Sequence, residues 1–261
     1  MTIQWAELRV GSRNADTGNW QRFLREQGYR GYDGYELKID EDFGQRTAFA
    51  TKTWQRTNGR VETGVVAALD RRAATAQGFI GFLQARNYTP VPAAKPRTVS
   101  IITIHDMEYP ETPSGAEWCA EFFAGPNAPR ASAHYCIDGD SVLQCVRDRD
   151  VAWHAPGANH NGIGIEHAGY AKQSRADWLD DYSRAELAIS ARLVAKLSAL
   201  YGIPLVRLSP AELRAGKYGL AGHADITAAF PGPGRTHWDP GLSFPWDVFL
   251  KLCQDALKAL P

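Results

Sequence analysis

A proline-rich break sets the limits on how this chain can fold. The stretch NYTPVPAAKPRTV, residues 87–99, holds prolines at 90, 92 and 96. Each lacks the backbone N–H that a helix interior or a central strand needs. No single regular element can run through it, so the segments on either side are expected to fold as separate units. With 261 residues there is room for two such units and for a proper hydrophobic core. We place the boundaries at 1–88, a linker at 89–97, and 98–261.

The segment before the break is patterned for short helices. ADTGNWQRFLREQGY offers Asp16 or Thr17 as an N-cap, with Trp20, Phe23 and Leu24 at helical spacing and Gly28 as a stop. DEDFGQRTAFATKTWQRTNG repeats the scheme: Gly44 turns the chain, Ala48, Phe49, Thr53 and Trp54 form a stripe, and Asn58-Gly59 ends it. ETGVVAALDRRAATA gives a third helix, and residues 76–88 a connecting helix or extra turn. A small all-α, three-helix domain is expected, with Trp20, Phe23, Phe49 and Trp54 in its core.

Composition excludes more than it suggests. Lys plus Arg and Asp plus Glu each number 29, so no charge excess points to nucleic acid or a membrane surface. No run of 18 apolar residues is present. The start, MTIQWAELRVGSRNADTG, carries charges and no apolar core, unlike a secretory signal. The expectation is synthesis in the cytoplasm without a signal peptide. The four cysteines, at 119, 136, 145 and 253, form no CxxC pair and are expected as packed thiols.

All seven histidines (105, 134, 154, 160, 167, 223 and 237) follow the break. Histidine is the commonest metal ligand, and their clustering points to a site in the second unit. SIITIHDME is a β-branched strand ending in His105. ASAHYCIDGDSVLQCVRDRDVAWHA is patterned as a hairpin turning at DGDS. NGIGIEHAGY is an apolar strand carrying Glu166, a carboxylate that is costly there unless paired, exposed at an edge or used. Residues 182–201 form one long amphipathic helix, and YGLAGHADIT places His223 where the chain leaves a strand. In GRTHWDPG, residues 234–241, His237 and Asp239 stand two apart and share one face of an extended segment. Catalytic zinc takes three protein ligands and keeps one position open. His105, His223 and one of this pair would supply them. Residue chemistry leaves either Asp239 as ligand or His237 as ligand with Asp239 orienting an imidazole.

Two family resemblances sharpen this reading. Residues 14–75 resemble the three-helix peptidoglycan-binding domain of cell-wall hydrolases, through IDEDFGQRTAFATKTWQRTNGRVETGVVAAL. They depart from it with Glu41 and Asp42 where Asp-Gly is usual and Trp54 where Phe is usual. Residues 99–250 resemble the zinc-dependent N-acetylmuramoyl-L-alanine amidases of phage, bacterial and animal recognition-protein type. The motifs ITIHDME, SAHYCIDGDSVLQCV, AWHA, NGIGIEHAG, GHADIT and GRTHWDPG stand in that family's order.

That resemblance implies an α/β catalytic domain with a mixed central sheet flanked by helices. It implies His105, His223 and Asp239 as ligands of Zn2+, Glu166 as the catalytic carboxylate and His237 as an aid to the transition state. His134 and His154 would line or support the substrate cleft. HDME departs from the more usual His-His or His-Asn after the first ligand. The implied partner is bacterial peptidoglycan, cut at the muramoyl–L-alanine amide by a monomeric, endolysin-like enzyme acting on the wall. Two alternatives are a non-catalytic recognition protein, disfavoured by the retained ligand positions, and a zinc peptidase. The peptidase pattern requires Asp seven residues after His, where His134 is followed by Ser141.

Overall fold

A computed structural model describes residues 7–232 and 236–260. Gly234 and Arg235 of the final motif, and residues 1–6 of the amino-terminal segment, lie outside the described residues. The chain divides into two compact units that meet at Leu83/Gln84.

The first unit holds helices α1 (Ala15–Glu26), α2 (Gln45–Thr57) and α3 (Ala68–Thr75), followed by a short extended segment, β1 (Gly81–Phe82). Of the connecting helix or extra turn expected over 76–88, the structure has the turn, at 76–78, where the Gln77 and Gly78 N–H groups donate to the Ala74 and Thr75 carbonyls. Asn14, rather than Asp16 or Thr17, caps α1 by accepting the Thr17 N–H. Asp16 is instead buried in an ion pair with Arg71 at 2.6 Å, and it also accepts the Phe82 N–H. The core gathers Trp20, Phe23, Leu24, Phe43, Trp54 and Phe79, with Trp20 edge-on to Trp54 at 5.3 Å. Phe49, expected in this core, is 43% exposed. Helix α2 is rotated so that Thr47, Ala50, Thr51, Trp54 and Gln55 face inward, which leaves Phe49 edge-on to Tyr32.

The second unit is built on a mixed sheet flanked by helices, as expected. Its strands are β3 (Ile101–Asp106), β4 (Tyr135–Ile137), β5 (Val142–Gln144), β7 (Gly162–His167) and β8 (Gly219–Gly222). They lie in the order β5-β4-β7-β3-β8. β4, β7, β3 and β8 run parallel, and β5 pairs antiparallel with β4 as the expected hairpin. β3 is buried along its whole length, the pattern of a central parallel strand. The long helix α5 (Asp181–Tyr201) is capped by Asp180 and ended by Gly202 at φ 65°. Helices α4 (Gly115–Ala124), α6 (Pro210–Arg214), α7 (His223–Ala229) and α8 (Trp246–Lys258) complete the unit. All four cysteines are buried and unbridged.

The proline-rich stretch is not a free linker. β2 (Tyr88–Thr89) pairs with β6 (Val151–Ala152), the Val91 N–H donates to Asp150, and Arg97 is drawn into the interior of the second unit. Proline stops regular structure but leaves neighbouring donors free to bond elsewhere.

Candidate metal centre and active site

Three parallel strands deliver their carboxyl ends to one place, where ligands gather in open α/β sheets. The register sets His105 of β3 beside Glu166 of β7, and Ile104 beside Gly222 of β8. His223 follows Gly222 as the first residue of α7. The segment bearing Asp239 is drawn to the same point because the Ala224 N–H donates to the Asp239 carbonyl at 3.0 Å. A Cβ at Gly222 would stand 2.9 Å from Pro240, so glycine there permits that approach.

One carboxylate then serves three imidazoles. Asp239 Oδ2 lies 2.8 Å from His105 Nδ1, while Oδ1 lies 3.2 Å from His223 Nδ1 and 3.7 Å from His237 Nδ1. Burial works against the Asp239 carboxylate, yet the His105, His223 and His237 contacts hold it far below the usual range. Burial takes His223 down to about 4. His237 is exposed, stacks on His223 at 4.1 Å, and is raised by Asp239. The donor atoms of His105, His223 and Asp239 all lie within 4.8 Å of one another. Two imidazole nitrogens and a carboxylate oxygen are a donor set that suits a catalytic transition-metal site.

The remaining expected residues sort by position. His154 lines the cavity, but its clearest contact is with a candidate ligand: its Nδ1 lies 3.1 Å from His105 Nε2. This is how outer partners fix a ligand imidazole. A Cβ at Gly164 would meet the His154 ring at 2.5 Å, so glycine in GIGIEH gives that ring its seat. Glu166 lines the same cavity and is pushed well up by burial and by Asp239 and Asp106.

His134 does not reach the cavity. It is fully buried, accepts the Gly164 N–H on Nδ1 and meets Arg97 at 2.9 Å. Burial and the Arg97 cation take it down to about 3. Of the two expected roles, lining or supporting the cleft, this buried position outside the cavity lining fits support, of the strand beneath His154. His160 is exposed and absent from the cavity lining, and His167 sits buried between the His105 carbonyl and Ser190.

Three functional features were not read from the sequence. Arg97 donates to the carbonyls of Asp148, Asn159, His160 and Gly162 and clasps the loops behind the site. Its only signal was a cation within a proline-rich run. Asp106, beside His105, is pushed up to about 8 by burial and then by Asp239. Trp118 and Phe122, one helical turn apart on α4, line the cavity with Met107 and Glu108. The cavity encloses about 430 Å³, in the range of small-molecule sites.

Comparison with known proteins places this arrangement. Residues 95–242 match the family model for N-acetylmuramoyl-L-alanine amidase. N-acetylmuramoyl-L-alanine amidase A of Achromobacter lyticus is 30% identical over 167 residues, 59% of this chain and 82% of that protein. Among solved structures, a selenomethionine derivative of AmpD aligns with a TM-score of 0.47 at 22% identity, covering 66% of this chain and 93% of that one. Staphylococcus aureus hydrolase AmiA in complex with its ligand aligns with a TM-score of 0.47 at 16% identity, covering 67% and 84%. This chain belongs to the N-acetylmuramoyl-L-alanine amidase family, peptidoglycan hydrolases that cut the amide joining the glycan to its stem peptide.

Proposed function

We propose that the chain hydrolyses the muramoyl–L-alanine amide as a zinc enzyme, with His105, His223 and Asp239 holding the metal. The observation that carries this is their convergence, from three distant parts of the sequence, within 4.8 Å. Bound there, zinc supplies polarisation of the amide carbonyl and acidification of water.

The chain's own residues supply the rest. Glu166, one strand over from His105, takes the proton of the attacking water and delivers it to the departing L-alanine nitrogen. His237, at the exposed mouth, donates a hydrogen bond to the carbonyl oxygen as charge builds on it. Asp239 draws His237 toward its charged, donating form. His154 accepts from His105 Nε2 and keeps His105 Nδ1 free for coordination.

We assign the first unit to peptidoglycan binding, on its resemblance to wall-binding three-helix domains. A catalytic unit joined to such a module fits an endolysin-like role in wall lysis.

The test is Glu166→Gln in the full chain. Zinc measured on the purified variant should stay near one per chain, while kcat on a muropeptide falls by about 10²–10⁴-fold. Turnover within a few-fold of wild type removes Glu166 as the base. Mass spectrometry of digested sacculi should give lactyl-ended glycan and intact peptides. Shortened peptides would favour a peptidase.

A further inference from the structure

The metal centre accounts for one end of the cavity and leaves the aromatic side unexplained. On α4, Trp118 and Phe122 are 36% and 48% exposed, while Ala116, Cys119, Ala120 and Phe123 face inward. The exposed rings are ordered. Tyr109 stacks on Trp118 with centroids 3.9 Å apart and planes 13° from parallel, and Trp118 stacks with Phe122 at 5.4 Å and 8°. Tyr109 is pinned by paired backbone bonds to Gly169. The start of α4 is held close to β7, since a Cβ at Gly115 would stand 2.9 Å from Ala168. Trp118 and Phe122 thus line the cavity that His105, His223 and Asp239 also line, and Tyr109, which is not part of that lining, stacks on Trp118.

Charge selects what these rings take. Among the described residues that line the cavity there is no lysine or arginine, and Glu108 is an exposed carboxylate among them. Stem peptides of peptidoglycan are anionic, and this lining offers them no lysine or arginine to pair with. The glycan strand is neutral, and its pyranose rings present flat C–H faces that lie well on aromatic faces, whose quadrupoles are negative.

We propose that Trp118 and Phe122, with Tyr109 stacked on Trp118, form the glycan subsite, holding N-acetylated pyranose rings while the stem peptide leaves on the opposite side of the metal centre. The inference rests on the amidase reading for its substrate and adds the side from which the glycan enters.

The experiment compares two substrates in the zinc-loaded full chain: a muramoyl peptide with a single sugar, and the same peptide on a glycan of four or more sugars. For wild type, kcat/KM should favour the longer glycan. In Trp118→Ala and Phe122→Ala that preference should collapse by about tenfold, mainly through KM. Trp118→Phe and Phe122→Tyr, which keep a ring, should restore it.

Calorimetry with a β-1,4-linked N-acetylglucosamine tetramer on the metal-free chain gives a readout independent of turnover. The tetramer should bind wild type and bind Phe122→Ala about tenfold more weakly. An unchanged preference with equal losses on both substrates overturns the subsite, as does a preference that shifts toward glycan-rich substrate. Tetramer affinity equal in wild type and Phe122→Ala overturns it too. If wild type cleaves neither substrate yet the tetramer binds through Phe122, the subsite stands and the amidase reading fails.

Discussion

Both units bury polar side chains, but they pair them differently. In the first unit buried donors meet acceptors of the framework itself. The Trp20 indole donates to Thr51, Asp16 meets Arg71, and Gln55 is spanned by the Gly64 N–H and the Val65 carbonyl. Each of these groups finds a partner within the unit, as a framework requires. In the second unit three imidazoles converge on one carboxylate, and a fourth imidazole and three further carboxyl groups, of Asp106, Glu108 and Glu166, line the same cavity. Many groups sharing one acceptor stabilise a fold poorly. They are arranged to receive something.

The largest effect should come from breaking the framework. Trp54→Ala empties the centre of the first unit, and a buried Trp→Ala change costs about 3–5 kcal/mol. That unit should melt first in urea, and lysis of whole sacculi should fall. Activity on a small soluble muropeptide should hold, because no group of the first unit lines the described cavity. Loss of both activities together would show that the site depends on the framework after all.

At the site, His154→Ala removes the partner of His105 without touching a candidate ligand. Zinc affinity should drop by about 10–100-fold, the usual effect of losing an outer partner, as measured by chelator competition. His154→Gln, whose amide oxygen can accept from His105 Nε2, should recover part of it. Affinity unchanged in His154→Ala would reduce that contact to packing.

His134 sharpens the contrast through acid. Unfolded, it takes a proton near pH 6.5; folded, only near 3. Its stabilising share is therefore complete above pH 6.5 and is lost as pH falls, by about 2 kcal/mol at pH 5. Asp106 and Asp138, each pushed up to about 8 by burial, act in the opposite direction. The measurement is accordingly the difference between wild type and His134→Gln, by urea denaturation at pH 7 and pH 5. Wild type should lose about 2 kcal/mol relative to the variant over that range. The first unit holds no histidine, and its buried Asp16 is pushed up, so it loses nothing by this route.

What could be read from the sequence follows the same division. β3 announced itself through a β-branched run, β7 and β8 through short apolar segments bounded by glycine, and the long helix through its period and its Gly202 stop. His105, His223 and Asp239 were legible because each stands at the end of an element in a recognisable motif. Whether His134 lines the cleft or supports it could not be read from a motif position, which says nothing of depth; depth is set by Arg97 and Gly164 from elsewhere in the chain. Arg97 itself was hidden in a segment read only for its prolines. Trp118 and Phe122 lie outside the motifs, and their alignment with Tyr109 exists only once α4 is seated on β4 and β5.

Phe49 is where the smallest effect should appear. Its spacing from Trp54 places it on the margin of the apolar stripe, and the helix resolves that ambiguity in favour of Thr51, which accepts from the Trp20 indole. Turning Phe49 inward would turn Thr51 away and strand that donor, so the hydrogen bond sets the rotation of α2. If so, Phe49→Ser should change stability by no more than about 0.5 kcal/mol, as surface substitutions do. Thr51→Val, which keeps the shape and removes the acceptor, should cost about 1–3 kcal/mol by leaving the indole N–H unpaired. Urea denaturation of the two variants decides it: a larger loss for Phe49→Ser than for Thr51→Val would mean that the phenyl ring, and not the hydrogen bond, orients the helix.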